Sequence, residues 1–297
     1  MKPKVIAIVG PTASGKSSLG VFLAQKLGGE IISADSRQVY KGLDIGTGKV
    51  TKKEMGGIPH HLLDVANPKR QFSASDFEKA GRKSIEKIFK NGHVPIVVGG
   101  TGFYVDALLG RLTLPDVPPN PKLRSKLEKK NVDELFLMLK KLDPARAKTI
   151  EPDHKRRLVR AIEIAQGRSV KSVAEPVDAE TLPKVLYLGL SPAPEKLKKN
   201  IHTRLLSRMQ TGMVKEAKRL HAGGLSYKRM KELGLEYRSL AELLLGEKTE
   251  KEMLASLEAA INNYAKRQYR WFKRNKDICW INNKSEALRL AKAFISG

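Results

Sequence analysis

Gly10, Gly15, Lys16 and Ser17 stand at the spacing G-x-x-x-x-G-K-S in the run GPTASGKS. Glycines there let successive backbone N–H groups turn inward onto phosphate oxygens. The lysine adds a point charge, and the serine hydroxyl can hold Mg²⁺. The candidate cradle is therefore Gly10, Pro11, Thr12, Ala13, Ser14, Gly15, Lys16 and Ser17. An apolar run, VIAIV, comes just before it. The segment after it has helical period and places Leu19, Phe22, Leu23 and Leu27 on one face. A strand that feeds a helix through this loop is the right setting for binding phosphate. The loop does not say what the phosphate is attached to.

A second chemical residue follows the next apolar run. EIISADS (30–36) carries Asp35 at the carboxyl end of a predicted strand, where open α/β sheets place their ligands. From position alone, Asp35 could be a metal partner, a general base or a turn residue. Thr101, in GGTG past another predicted strand, falls on the same rim. A small-molecule or nucleotide kinase would account for the loop and for Mg²⁺, and it stands as the alternative at this point.

The elements that must position these residues are readable from period. KVIAIV (4–9), EIISA (30–34), VPIVV (94–98), KVLYLGL (184–190) and DICWI (277–281) are short β-branched runs without internal alternation, as expected of strands covered on both faces. Helical segments lie between them, among them SASDFEKAGRKSIEKIFKNG, which opens on a Ser/Asp cap and stops at Gly92. The fold class predicted is α/β: a P-loop NTPase-like parallel sheet flanked by helices, with an inserted small all-helical domain. The break comes at LPDVPPNP (114–121), and strands return after ETLP (180–183). The domains expected are a core of 1–118 with 183–297, whose last part is helical and basic, and an insertion at 119–182.

Charge narrows the partners. The 297 residues carry 56 Lys+Arg against 31 Asp+Glu, a net charge of +25. Residues 196–276 hold 20 basic and 8 acidic side chains, so the excess concentrates in one segment and points to a polyanion such as nucleic acid. Arg156, Arg157 and Arg160 form one basic stripe, and Arg267, Arg270 and Arg274 a second. Trp271 and Phe272, beside the second, are expected in the core. His60 and His61, with no Cys or second His pair nearby, make a poor zinc site. No apolar run is long enough for a membrane span, and MKPKVIAIVG is expected to be a buried strand rather than a leader. The single cysteine, Cys279, is expected to be a buried structural thiol. It fits a reducing, cytoplasmic setting.

The residues around Asp35 resemble a known family. DSRQVYKGLDIGTGK (35–49), PHHLLDV (59–65), FSASDF (72–77), VVGGTGFYVDALL (97–109), RRLVRAIEI (156–164), RLLSRMQTGMVKEA (204–217) and NYAKRQYRWFKRN (263–275) are similar, in order, to the signatures of the tRNA dimethylallyltransferases. KELGLEYR (231–238) departs from the Ile-Gly-Tyr-Lys-like run of better-known members. No zinc-finger extension follows DICWINN. The resemblance implies transfer of a dimethylallyl group from dimethylallyl diphosphate to N6 of adenosine 37, beside the anticodon of tRNA.

It also implies roles for single residues. The cradle holds the donor's diphosphate rather than a nucleotide. Lys16, Mg²⁺ on Ser17, Thr101 and Arg204 stabilise the leaving diphosphate. Asp35 takes the N6 proton. The adenine must leave the stacked loop to reach them, and Asp35, Ser36, Arg37, Gln38 and Thr101 are placed to receive it. Arg156, Arg157, Arg160, Arg267 and Arg270 are expected to contact the tRNA anticodon stem-loop. A cytoplasmic monomer that does not engage a membrane is expected.

Overall fold

Five residues in a row are buried in the first strand, β1 (Lys4–Val9), and such burial requires cover on both faces of a sheet. The computed structural model describes residues 2–167 and 182–297, and within them helices provide that cover. In chain order, α1 (Lys16–Leu27), β2 (Gly29–Ser33), α2 (Lys52–Met55), β3 (His60–His61), α3 (Ala74–Lys90), β4 (Val94–Gly99) and α4 (Gly102–Leu108) follow β1. Next come α5 (Pro121–Leu127), α6 (Val132–Leu142), α7 (Pro144–Ala147) and α8 (Lys155–Gly167). The chain returns through β5 (Lys184–Gly189) to α9 (Pro194–Thr211), α10 (Met213–Ala222), α11 (Tyr227–Leu233), α12 (Leu235–Leu244), α13 (Glu250–Phe272), β6 (Ile278–Trp280) and α14 (Lys284–Ser296).

The strands form one sheet in the order β3-β2-β4-β1-β5-β6, and every pairing is parallel. The predicted runs therefore lie in a single α/β sheet. β3 has no counterpart in the sequence reading, because two residues are too few to show a period. DICWI contracts to Ile278–Trp280, paired on one side only, and this changes the expectation for Cys279. Only Ile278 of that edge strand faces the core, and the thiol is exposed rather than buried.

One face of the sheet packs on α3 and α4 through Phe77, Ile85, Ile88, Tyr104 and Leu108, with the Phe77 and Tyr104 rings stacked 4.2 Å apart. The other face packs on α1 and α14 through Leu19, Leu23, Ala287 and Ala291. Phe22 and Leu27 lie at the margin of that layer, partly buried. Helices α9 to α13 close a further core around Tyr237, Leu240 and Leu257, and Val39, Tyr40 and Leu43 enter it from the loop after β2. Phe272 is buried as expected. Trp271 is half-buried, and its indole N–H donates to Asp106 at 2.8 Å.

The chain divides into two compact units, Met1–Leu112 with Thr181–Gly297, and Thr113–Glu180. The second opens at Thr113 rather than Pro119. The Pro-rich run belongs to it because Val117 is buried and its carbonyl accepts from Arg160. The described part of this unit holds α5 to α8 and no strand, with its own core of Leu127, Leu135, Leu139, Leu158 and Ile162. The other boundary, expected at ETLP, falls against residues 168–181, which lie outside the described ones. Among the described residues no helix is long and apolar enough to cross a membrane.

Local chemistry sets the helix ends. Ser73 Oγ accepts from Asp76 N, and Asp76 returns a bond to Ser73 N, a capping box that satisfies two otherwise orphaned donors of α3. Ser73→Ala should lower the free energy of unfolding by about 1 kcal/mol. Urea titration should show a lower midpoint with an unchanged slope.

Candidate active site

The phosphate loop leaves β1 through Gly10, whose φ of 145° and close approach to Leu190 exclude other residues. A Cβ there would lie 2.4 Å from the Leu190 carbonyl oxygen. Ala13 and Gly15 also take positive φ, 60° and 93°, so the chain coils tightly before α1. α1 starts without a side-chain cap, which leaves its first N–H groups for an anion. Two distant helices hold the loop in place. Asn200 of α9 donates to the Ala13 carbonyl at 3.1 Å, and Gln268 of α13 accepts from Thr12 N at 2.8 Å. Ser14 Oγ is buried in the loop without a partner among the described residues.

Asp35 and Thr101 sit on loops beyond the carboxyl ends of β2 and β4, adjacent strands of the sheet. Asp35 Oδ1 accepts from the backbone N–H of Arg37 at 2.8 Å and of Gln38 at 3.2 Å. These two donors fix the carboxylate and, among the described residues, leave Oδ2 uncommitted. Thr101 Oγ1 accepts from Ser36 N at 3.1 Å, and the Ala34 carbonyl accepts from Thr101 N. Gly99 makes this approach feasible, since a Cβ there would stand 2.2 Å from the Ala34 carbonyl oxygen. Gln268 Nε2 donates to the Gly100 carbonyl, so one side chain ties the Thr101 loop to the phosphate loop. Tyr264, one turn earlier on α13, lines the cavity next to Thr101. Its hydroxyl is pushed up to about 12, by burial first and then by the Asp35 charge.

Facing the loop are the cations of α9. Arg204 donates to the Gly48 carbonyl at 2.7 Å. Arg208 donates to the Gly46 carbonyl at 2.8 Å and to Glu236 at 3.1 Å. Lys16, half-buried, donates to the Pro11 carbonyl. Its ammonium is held down at about 7, chiefly by lost hydration and then by the Arg204 charge, with Asp35 opposing. Much of Arg204 is accessible to solvent, yet its head lies among protein groups. Loss of hydration, followed by Arg208, holds it below its ordinary value. Two cations beside the uncapped start of a helix make a hole suited to an anion.

Lys16 and Arg204 line a cavity of ≈ 810 Å³ that also takes in Ser17, Ser36, Arg37 and Gln38. Lys16, Asp35 and Arg204 share its wall, and Thr101 stands behind that wall, bonded to Ser36. One end can thus bind phosphate while a carboxylate with a free oxygen waits within the same space. Arg267 reaches the cavity and lies 5.7 Å from the Tyr264 ring centre, whereas Arg270 is exposed outside it. Arg156, Arg157 and Arg160 are on α8 of the helical unit. There Arg160 is committed to the buried Glu163 and to Val117, Arg157 pairs with Glu151, and Arg156 is exposed. His61 bonds Glu30 at 2.6 Å and His60 the Ile58 carbonyl, so each imidazole has a local partner.

Sequence reading missed Tyr264, Gln268 and Asn200. The i, i+3, i+4 spacing of Tyr264, Arg267 and Gln268 puts the three on one helix face, a signal that was present in NYAKRQ. Nothing local marked Asn200.

The model of the family described as IPP transferase matches residues 38–275. The tRNA dimethylallyltransferase of Anoxybacillus flavithermus is 38% identical over 290 residues, 95% of this chain and 91% of that protein. The tRNA dimethylallyltransferase 2 of Treponema denticola is 41% identical, covering 92% of each chain. Among solved structures, the full-length tRNA isopentenylpyrophosphate transferase of Bacillus halodurans superposes with a TM-score of 0.73 at 34% identity, covering 100% of this chain and 96% of that one. A eukaryotic dimethylallyltransferase acting on tRNA gives 0.84 at 28% identity, over 99% of this chain and 80% of that one.

The lowered Lys16 ammonium fixes the sign of a pH effect. Between about pH 7 and 10.5 the unfolded chain binds more protons at this residue than the folded one, so its folded-state cost is full below pH 7 and fades as pH rises. Lys16→Met should therefore raise the Tm of the ligand-free protein most at pH 6 and least near pH 10, by calorimetry. The same variant should lose binding of inorganic diphosphate, and wild-type affinity for diphosphate should fall as pH climbs past 7.

Proposed function

This chain belongs to the IPP transferase family, and we propose that it moves a dimethylallyl group from dimethylallyl diphosphate to N6 of adenosine 37 in tRNA, releasing diphosphate. The observation that carries this reading is the common cavity of Lys16, Arg204 and Asp35, with a phosphate-binding end and a carboxylate within one space. A kinase would use the loop equally well, but it leaves unexplained the full-length likeness to enzymes named for tRNA and a prenyl group.

Two demands define the chemistry. The allylic C1–O bond of the donor breaks, and both electrons leave with the diphosphate. Lys16, Arg204 and the N–H groups of Ala13 to Ser17 stabilise that charge, and such preorganised donors are worth roughly 3–4 kcal/mol each. The N6–C1 bond forms from a nitrogen whose lone pair is delocalised into the purine. Asp35 accepts the N6 proton at Oδ2, a contribution of typically ~10²–10⁴-fold. Thr101 Oγ1 accepts from Ser36 N and so fixes the loop that carries Asp35 and Ser36 into the cavity.

Mg²⁺ fits the same end. Ser17 is exposed at the start of α1 with its hydroxyl unused, and no cluster of three acidic, His or Cys side chains stands among the described residues. A donor set of one hydroxyl suits a cation that keeps its waters and takes substrate phosphate oxygens. When bound, Mg²⁺ supplies charge neutralisation to the diphosphate.

The acceptor is the anticodon stem-loop, with the adenine flipped into the cavity beside Ser36, Arg37 and Gln38. Arg267 and Arg270 on α13, and Arg156 and Arg157 on α8, are the phosphate contacts of this reading. Arg160 enters it less directly, since Glu163 holds it. Affinity for tRNA should then fall steeply with salt.

Mass spectrometry of nucleosides from unmodified tRNA, incubated with the protein, Mg²⁺ and dimethylallyl diphosphate, tests the reaction. A prenylated adenosine should appear, and none when ATP replaces the donor. Asp35→Asn should cut kcat by ~10²–10⁴-fold while leaving tRNA affinity within about twofold. An unchanged rate in that variant would remove Asp35 as the base.

A further inference from the structure

Outside the cavity, one buried carboxylate has no cation opposite it among the described residues. Glu216 of α10 is 4% exposed. Its Oε2 accepts from the backbone N–H groups of Asp44 at 3.0 Å and Ile45 at 2.8 Å. Its Oε1 accepts from Gly46 N at 2.9 Å and from the Tyr237 hydroxyl at 2.7 Å. Burying a carboxylate is costly, and four donors are what makes it tolerable. The Tyr237 ring closes the arrangement. It is buried, and a Cβ on Gly46 would stand 2.8 Å from it.

The loop gathered by Glu216 is the one that directs the site's arginines. With three successive N–H groups on Glu216, the loop closes on itself: the Ile45 carbonyl accepts from Gly48 N at 3.0 Å and the Asp44 carbonyl from Lys49 N at 2.9 Å. The Gly46 carbonyl accepts from Arg208 Nη1, and the Gly48 carbonyl accepts from Arg204 Nη2 and, at 3.4 Å, from Gln38 Nε2. Arg204 makes no ion pair among the described residues, so its aim rests on the Gly48 carbonyl.

We propose that Glu216 is a positioning residue for the diphosphate: by fixing residues 44–48 it sets the Gly48 carbonyl, and through it holds the Arg204 guanidinium in the cavity with Lys16. This inference rests on Arg204 binding diphosphate as proposed above. Glu216 itself does not line the cavity and touches no reactant. Its effect should appear in donor binding and vanish when Arg204 is gone.

The test is a double-mutant cycle read by calorimetric titration with inorganic diphosphate. Glu216→Gln turns one acceptor oxygen into a donor facing N–H groups, and it should weaken diphosphate binding about tenfold, with tRNA affinity within about twofold. In an Arg204→Ala background the same change should cost less than about twofold, since the guanidinium it would misplace is absent. Glu216→Asp keeps the charge but shortens the reach. It should give a smaller loss with the same dependence on Arg204, and it carries the cycle if the amide variant does not fold. The proposal is overturned if Glu216→Gln binds diphosphate as the wild type does. Equal losses in both backgrounds, or a parallel loss of tRNA affinity, would also overturn it, because a general structural role gives those results. If Arg204→Ala alone leaves diphosphate binding intact, the functional reading of Arg204 fails instead.

Discussion

The convergence of Lys16 and Arg204 on one cavity wall is the constraint around which the rest of the site is organised. Neither cation forms an ion pair among the described residues; lost hydration and the Arg204 charge lower Lys16's hold on its proton, and lost hydration and the Arg208 charge lower Arg204's. A folded protein gains nothing from such an arrangement. It persists because the surroundings overdetermine it: a phosphate loop clamped by Asn200 and Gln268, and an arginine aimed by a loop carbonyl. The cost in the empty state becomes attraction when a polyanion arrives, which is preorganisation in electrostatic form.

The parallel sheet is what lets one cavity serve two chemistries. All six strands point the same way, so the loops after β1, β2 and β4 emerge on one rim. Phosphate loop, Asp35 and Thr101 are far apart in sequence and adjacent there. Gly10 and Gly99 allow the backbones to approach within distances that a side chain would forbid. The helices from α9 onward then close the open side, bringing Arg204, Tyr264 and Gln268 from positions more than 150 residues away in the chain.

Stability and function draw on different parts of the chain. The apolar faces of α1, α3, α4 and α14 fill the sheet layers, and the helical unit has its own core. Its charge pair Arg160–Glu163, joined by Arg124, knits that unit internally. A basic stripe in a sequence can therefore serve two ends, and burial of the partner decides which arginine is left for a ligand. On α8, Arg156 is exposed while Arg160 is drawn inward.

By itself the sequence determined whatever is local. The strands, the phosphate loop, the cap of α3 and the position of Asp35 at a strand end all depend on period, steric freedom or short-range hydrogen bonds, and these are written in neighbouring residues. The order of its signature runs also pointed to the family. Tertiary structure alone decided what depends on partners distant in the chain. Gln268 bridges two loops, Glu216 gathers a third, Tyr264 meets Thr101, and β3 exists only because Ile31 and Ile32 offer it an edge. Cys279 looked buried because its neighbours are apolar, but it lies on an edge strand of which only Ile278 faces the core. No pattern within a few residues encodes which edge of the sheet a strand will occupy.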